Sequence, residues 1–280
     1  MSDAGLVSVA PGVRVIALET PTLPPATHTN TYVLGAEEVI LVEPATPRLR
    51  EQERLFAALE EAGCRPRAIF LTHHHLDHVG AVEATCARYG VPVWAHQETA
   101  RRVAFPVARH VVDGETVHCD DGGVWKALHT PGHAPGHLCL VDGHGTTIAG
   151  DLVAGTGTIL IEPSEGDMAQ YLASLERVAR YARRLLPSHG PMLGDAPEVL
   201  ARYVAHRLGR ERKVVEAVGA IGPATVQALV PLAYADAPPS VWALAALSLE
   251  AHLVKLLREG RVVCDGDAYR LSDDAPPSGT

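Results

Sequence analysis

Paired cysteines are missing from this chain. Its five cysteines, Cys64, Cys86, Cys119, Cys139 and Cys264, are odd in number, and no two stand in a C-x-x-C pair. A disulfide framework is therefore not expected and a reducing compartment is; most of these thiols read as small buried apolar groups. The N-terminus, Met1-Ser2-Asp3-Ala4-Gly5, lacks the basic region and apolar stretch of a secretory signal. Apolar runs are short: Val241 to Leu249, interrupted by Ser248, falls well below the ~20 residues that span a bilayer. The expectation is a cytoplasmic protein with no membrane role. Positive charge is also scarce, with 24 Lys and Arg against 33 Asp and Glu for a formal net charge of −9. That argues against binding nucleic acid through the whole surface. What remains is a 280-residue chain with 47% hydrophobic residues, enough for one large domain and a small one.

Histidine is what the chain concentrates. Thr72-His73-His74-His75-Leu76-Asp77-His78 reads H-x-H-x-D-H and follows the apolar, strand-like Ala68-Ile69-Phe70-Leu71. Side chains at i and i+2 of an extended segment point the same way, so His73 and His75 can face one metal. Asp77 and His78, at the turn beyond, can face a second. Imidazole nitrogen and carboxylate oxygen suit Zn²⁺, and also Fe or Mn, and a catalytic site leaves one coordination position to water. The competing reading is a surface histidine cluster, and three later segments weaken it. His133 ends Thr130-Pro131-Gly132-His133 after an alternating stretch from Val124 to Leu128, and Asp151 ends Ile148-Ala149-Gly150-Asp151. His189, in Pro187-Ser188-His189-Gly190, stands just past a helix-like segment. Each comes after a hydrophobic element and beside a Gly or Pro that fixes a turn, as loop residues carried by a rigid scaffold do.

In this order H-x-H-x-D-H, T-P-G-H, A-G-D and S-H-G resemble the signature of the metallo-β-lactamase superfamily, over about residues 10–195. The resemblance implies an αββα sandwich with its site at one edge. There His73, His75 and His133 would bind one metal, Asp77, His78 and His189 a second, and Asp151 would bridge the two. Thr29-Asn30-Thr31-Tyr32 and His129-Thr130-Pro131-Gly132-His133 look like the glyoxalase II and β-lactamase-like-protein branches. Glu43, in Leu41-Val42-Glu43-Pro44, departs from those branches, which usually carry Asp; the longer acid can still reach an outer donor. Asp151 stands where one subclass of true β-lactamases has a cysteine ligand, which weakens the antibiotic-hydrolase reading.

Along the chain, residues 6–45 alternate apolar and polar positions as strands do, and Arg48 to Ala62 reads as an amphipathic helix ended by Gly63. A strand at 68–71, a helix at 79–89, a short strand at 91–94 and further strands over 111–150 follow. A helix is expected over 167–186, capped by Asp167 with acids flanking its first turn. After Gly194 come helices over 197–219, 224–233 and 241–259, the last capped by Ser240, then a hairpin around Asp265-Gly266-Asp267. The expected fold class is α/β: the αββα sandwich that the resemblance implies over 1–195, and a helical, winged-helix-like domain over 196–280.

The expected chemistry is hydrolysis at a dinuclear site holding two divalent ions, Zn²⁺ first with Fe or Mn open. A metal-bound hydroxide would attack a small-molecule acyl thioester or activated ester. Asp77 would orient that nucleophile while ligating, and His137 would support His133 or touch substrate; His74 should point away. RNA is the alternative substrate, on the strength of the wing and of Arg177, Arg180 and Arg184 as one stripe on the 167–186 helix. Lactone or β-lactam hydrolysis and a mononuclear-iron sulfur dioxygenase stay open, whereas a flavodiiron-type protein should carry an acid at His75. Between 205 and 272 eight Lys and Arg meet seven Asp and Glu, and Val241-Trp242-Ala243-Leu244-Ala245-Ala246-Leu247 offers no base-reading side chain. Sequence-specific DNA binding is thus not expected. Faces around Val241, Leu244, Leu247 and Leu256 are expected to pack on the catalytic domain beside the site entrance; a homo-oligomer stays open.

Overall fold

Two mixed sheets are laid face to face, and one edge of the pair carries every candidate ligand. The computed structural model describes residues 5–273. The first sheet runs β1 (Val7–Ala10), β2 (Val13–Glu19), β3 (His28–Leu34) and β4 (Glu38–Val42) as an antiparallel meander. After helix α1 (Leu49–Glu61) it continues in parallel through β5 (Arg65–Phe70). Helices α2 (Leu76–Val79) and α3 (Val82–Tyr89) lead to β6 (Val93–Ala95), and α4 (Gln97–Ala100) leads to β7 (Arg109–His110). The second sheet runs β8 (Thr116–His118), β9 (Val124–His129), β10 (Leu138–Asp142) and β11 (Thr146–Gly150) antiparallel. Helix α5 (Met168–Ala179) then crosses over to β12 (Arg184–Pro187), which pairs in parallel with β11.

The alternation read from the sequence explains the layering. Tyr32, Leu34, Ile40, Val42 and Phe70 of the first sheet meet Trp125, Ala127, Leu140, Ile148 and Leu186 of the second in the central core. The opposite face of the first sheet, with Ile16, Val33 and Leu41, is covered by Leu55, Phe56 and Leu59 of α1. The outer face of the second, with Leu128, Val141 and Leu185, is covered by Leu172, Leu175 and Val178 of α5. That is the αββα sandwich the resemblance implied.

The segment 167–186 is where expectation and structure part. Asp167 does cap the helix, its side chain accepting from Gln170 N, but the helix ends at Ala179. Arg184 lies on β12 instead, because Arg183 and Arg184 donate to the Gly145 carbonyl and start the pairing with β11. The Arg177, Arg180, Arg184 stripe is therefore not a single helical face, and His189 follows a strand rather than a helix.

Beyond the sandwich, α6 (Ala196–Ile221), α7 (Val226–Ala233), a 3₁₀ turn (Pro239–Val241), α8 (Trp242–Arg258) and the hairpin β13 (Val262–Asp265) and β14 (Ala268–Leu271) form a winged helix. Ala224 pairs with Tyr269 as a third rung of the wing. Ser240 does not cap α8, since Pro239 starts a 3₁₀ turn across it. Residues Pro239–Arg258 together are long and apolar enough to cross a membrane by length and composition, contrary to the reading of the shorter Val241–Leu249 run. In this fold their buried residues Ala245, Leu249, Leu253 and Leu256 are the C-terminal domain's own core. The expected docking face is corrected accordingly. Val241 and Leu244 are exposed and Leu256 is internal to the wing, while Leu247 alone of the four borders the site cavity. The catalytic domain is met instead by Val199 and Leu200 of α6 and Ala251 of α8, which join the core under α5.

A buried ion cluster ties α6 to α8. Glu211 meets Lys255 Nζ at 2.8 Å and Arg261 Nη1 at 2.9 Å, with His252 Nδ1 at 3.6 Å. Burial pushes its carboxyl up, but His252 and Lys255 overcome this and hold it down at about 2. A carboxylate with a depressed folded-state pKa stabilises above its unfolded value and loses that contribution as pH falls. Glu211→Gln should therefore destabilise the chain by about 2 kcal/mol near neutral pH, because it takes the buried counter-charge from Lys255 and Arg261 and leaves them only the more exposed Glu259. The gap to wild type should shrink as pH falls from about 4.5 towards 2 in denaturant titrations. A gap constant with pH would refute this account.

Candidate metal centre

Seven ligand candidates from four segments, one of them including the short helix α2, converge at the sheet edge. His73, His75, Asp77 and His78 follow β5, His133 follows β9, Asp151 follows β11 and His189 follows β12. The ligand atoms of His73, His75 and His133 all lie within 4.8 Å of one another, as do those of Asp77, His78 and His189. Asp151 stands between the groups: its Oδ2 is 3.6 Å from His133 Nε2 and 3.6 Å from His78 Nε2, and its Oδ1 is 3.4 Å from His189 Nε2.

Hydrogen bonds settle which nitrogen each ring turns inward. A carbonyl oxygen only accepts, so His133 Nδ1 donates to Leu160 O at 2.8 Å and His189 Nδ1 to His28 O at 3.1 Å. His75 Nε2 lies 2.5 Å from Glu165 Oε1. Thr72 Oγ1 gives its hydrogen to Glu43 and so accepts from His73 Nδ1 at 2.9 Å. His78 Nδ1 faces Glu43 Oε1 at 3.1 Å. With the outer nitrogens protonated, lone pairs face inward: His73 Nε2 and His133 Nε2 each lie 3.0 Å from His75 Nδ1. Bare lone pairs at that distance repel, whereas three nitrogens about 2.0–2.1 Å from one Zn²⁺ sit about 3.3 Å apart. His78 Nε2 and Asp151 Oδ1 are buried with no hydrogen-bond partner. The donor set fits a pair of divalent cations.

Electrostatics divide the two groups. Burial, reinforced by the neighbouring histidines, holds His73 well below its ordinary value, and burial lowers His133 to about 4. Both are thus kept in the neutral form that ligates. Burial would lower His78 too, but Glu43, Asp151 and Asp77 hold it well above 6.5. Burial likewise opposes ionisation of Asp151, and His78 and His189 overcome it, holding the carboxyl well below its usual range. The second group therefore sits in the more negative surroundings, with Asp77 among its members and Glu43 and Asp151 against His78.

One assignment changes. His137 is buried, meets the His133 ring only edge-on at 6.5 Å between centroids, and does not line the cavity. Its Nε2 accepts the Asp151 backbone N–H at 3.0 Å and its Nδ1 meets Thr130 Oγ1 at 2.8 Å, so it fixes the loop that carries Asp151. Burial lowers its pKa to about 3, which keeps that acceptor available. Gly150 makes room for this arrangement at φ 53°, since a Cβ there would lie 2.5 Å from His137 Nε2 and 2.8 Å from Thr72 Oγ1. His74 does point away from the inward nitrogens, with Nε2 on Glu165 Oε2 at 2.8 Å. The sequence reading misses Glu165 altogether. Glu43 behaves as the longer acid can, reaching Thr72, His78 and Ser188 Oγ (2.6 Å) together.

A cavity of about 370 Å³ opens onto His75, Asp77, His133, Asp151 and His189. Its walls come from Leu23 and Ala26 before β3, from Ala154, Ile159 and Leu160 after β11, and from Leu247 of α8.

Residues 24–189 match the sequence model of the metallo-β-lactamase superfamily, and residues 225–270 that of the β-lactamase-associated winged helix domain. A beta-lactamase-like protein 2 homologue of Caenorhabditis elegans is 30% identical over 84% of this chain and 80% of its own. An atrochrysone carboxyl ACP thioesterase of Aspergillus fumigatus is 29% identical over 68% of this chain and 59% of its own. The crystal structure of a metallo-beta-lactamase family protein from Thermus thermophilus superposes with a TM-score of 0.80, covering 94% of this chain and 100% of that one at 25% identity.

Proposed function

This chain belongs to the metallo-β-lactamase superfamily and is a metal-dependent hydrolase, and from that premise we propose that it cleaves a small acyl thioester or activated ester. The observation that carries the reading is the cavity wall. Among the described lining residues there is no Lys or Arg, while Leu23, Ala26, Ile159, Leu160 and Leu247 offer an apolar face to an acyl group. The charges at the cavity are those of Asp77, Asp151, Glu162 and Glu165 and the ligand histidines. An RNA strand carries one negative charge per nucleotide and needs several cationic contacts. Arg177 does not supply one, being engaged by Asp113 Oδ2 at 2.8 Å and His129 O at 2.9 Å. The thioesterase named among the relatives supports the same choice.

In this reading His73, His75 and His133 would hold one ion and Asp77, His78 and His189 the other, with Asp151 shared; the nitrogen and oxygen donors would suit Zn²⁺. When bound, the pair supplies Lewis acidity and makes water a nucleophile at neutral pH. Asp77, at the cavity floor, accepts a hydrogen from the attacking water and sets its direction. The apolar wall excludes bulk water and holds the acyl chain, and Glu162 and Glu165 repel polyanions.

A panel of short acyl thioesters and single-stranded RNA, with and without a chelator, tests the proposal. Thioester turnover should require His73 and Asp77 and change by less than about twofold between about 0.05 and 0.5 M salt, since few charges are screened. RNA cleavage that fades with salt, without thioesterase activity, would overturn it.

A further inference from the structure

Residues 154–167 run from the Asp151 loop to α5 with no regular secondary structure, and no sequence motif assigns them a role. They nevertheless touch three of the ligand histidines. Gly155 and Thr156 N–H groups donate to the His189 carbonyl at 2.7 and 3.3 Å. The Leu160 carbonyl accepts from His133 Nδ1, and Glu165 spans His75 Nε2 and His74 Nε2 at 2.5 and 2.8 Å. The C-terminal domain grips the same segment from the other side. Tyr203 Oη of α6 accepts from Ala154 N and donates to Ala154 O, both at 2.9 Å. The buried Arg207 donates to Ile159 O while lying over the Tyr171 ring, and Arg258 of α8 pairs with Asp167.

We propose that residues 154–167 are a strap through which the C-terminal domain orients His75 and His133, with Glu165 as the positioning residue of the His75 ring. A ligating imidazole needs an outer partner to fix its tautomer and ring plane. Two of the three histidines in the first group take that partner from this strap. The strap's backbone pairs with no strand; it bonds to the sandwich at its two ends, at His189 O and Gly132 O, and side chains of α6 and α8 fix it. The winged helix thus acts at the metal centre without contributing a ligand, which gives it a role independent of nucleic acid.

The inference rests on the metal-pair reading above, and the full-length chain tests the two separately. Zn²⁺ affinity by chelator competition and the visible spectrum of the Co²⁺-loaded protein are measured for wild type, Glu165→Ala, Glu165→Gln, Tyr203→Phe and Arg207→Met. Glu165→Ala should weaken one ion by about 10–100-fold and alter the Co²⁺ spectrum. Glu165→Gln should recover part of the loss, because an amide oxygen still accepts the His75 N–H. Tyr203→Phe and Arg207→Met should each weaken the same ion by roughly several-fold, as changes one layer further out. Where Arg207→Met does not fold, Tyr203→Phe carries the test, since it removes a single oxygen. A wild-type chain that binds no metal sinks the metal-pair reading itself. A wild type that binds two ions, with every variant matching its affinity and spectrum, sinks the strap alone. Effects confined to Glu165 would also overturn the role given to the C-terminal domain.

Discussion

Asp151→Ala is expected to release both ions and lower hydrolytic turnover by at least about a thousandfold, well beyond the 10–100-fold attached to an outer partner. The carboxylate is buried and equidistant from His133 Nε2 and His78 Nε2, so neither group keeps its full donor set without it. Its charge also offsets the desolvation of the cations in both groups. His189→Ala should instead empty mainly the second group, because His73, His75 and His133 stay together around their own centre. Elemental analysis of the purified variants separates these cases: near two ions per chain for wild type, none retained for Asp151→Ala, and one for His189→Ala. A wild type with a single tight ion, unaffected by the His189 change, would refute the dinuclear site. Asp77→Ala should cost several orders of magnitude in turnover even where one ion remains, since the water loses its hydrogen-bond acceptor along with a ligand.

Truncation after Gly194 is expected to yield an aggregating, inactive fragment. The outer face of the second sheet is covered by α5, and α5 is covered by α6, so Leu172, Leu175 and Val178 share one core with Val199, Leu200 and Ala251. Cutting away α6 and α8 turns that shared core into an exposed apolar patch, which soluble monomers rarely tolerate. It also removes Tyr203, Arg207 and Arg258 from the strap. Light scattering and metal content of the fragment check this. A soluble, monomeric and fully active fragment would show that the C-terminal domain is a tethered accessory.

The seven ligands are legible in the sequence because they are local: each follows the end of a strand, four of them packed into one six-residue run and His133, Asp151 and His189 each beside a Gly, in residue types that few other roles demand there. Their outer partners are not. Glu165 lies 90 residues from His75, and the Leu160 carbonyl is invisible to any side-chain pattern. Glu43 stands out in the sequence only as a departure from a resemblance. Arg184 is misplaced on a helix because no Gly or Pro separates Arg177 from Leu186, and the signal that breaks the helix, the Gly145 carbonyl, belongs to a distant hairpin. For α8, helical periodicity marks an apolar face correctly but does not say which partner covers it. His137 has the residue type of a catalytic group, and only its two hydrogen bonds reveal a scaffold role.

The ligands are divided between two sheets, and each group draws from both: His73 and His75 with His133, Asp77 and His78 with His189. Ions held there would sit across the seam of the sandwich and act as rivets between halves that also meet through an apolar core and through hydrogen bonds such as Ser188 Oγ to Glu43 Oε2 and Tyr32 Oη to Pro187 O. Metal that binds only the folded chain adds about 4 kcal/mol per site when free ion exceeds its dissociation constant a thousandfold. Because neither half can open without dismantling both groups, that free energy opposes the separation of the sheets as a unit. Metal supply would thus raise the midpoint of unfolding and tighten its cooperativity, and a starved chain would hold its halves together through the shared core and the hydrogen bonds of the seam alone.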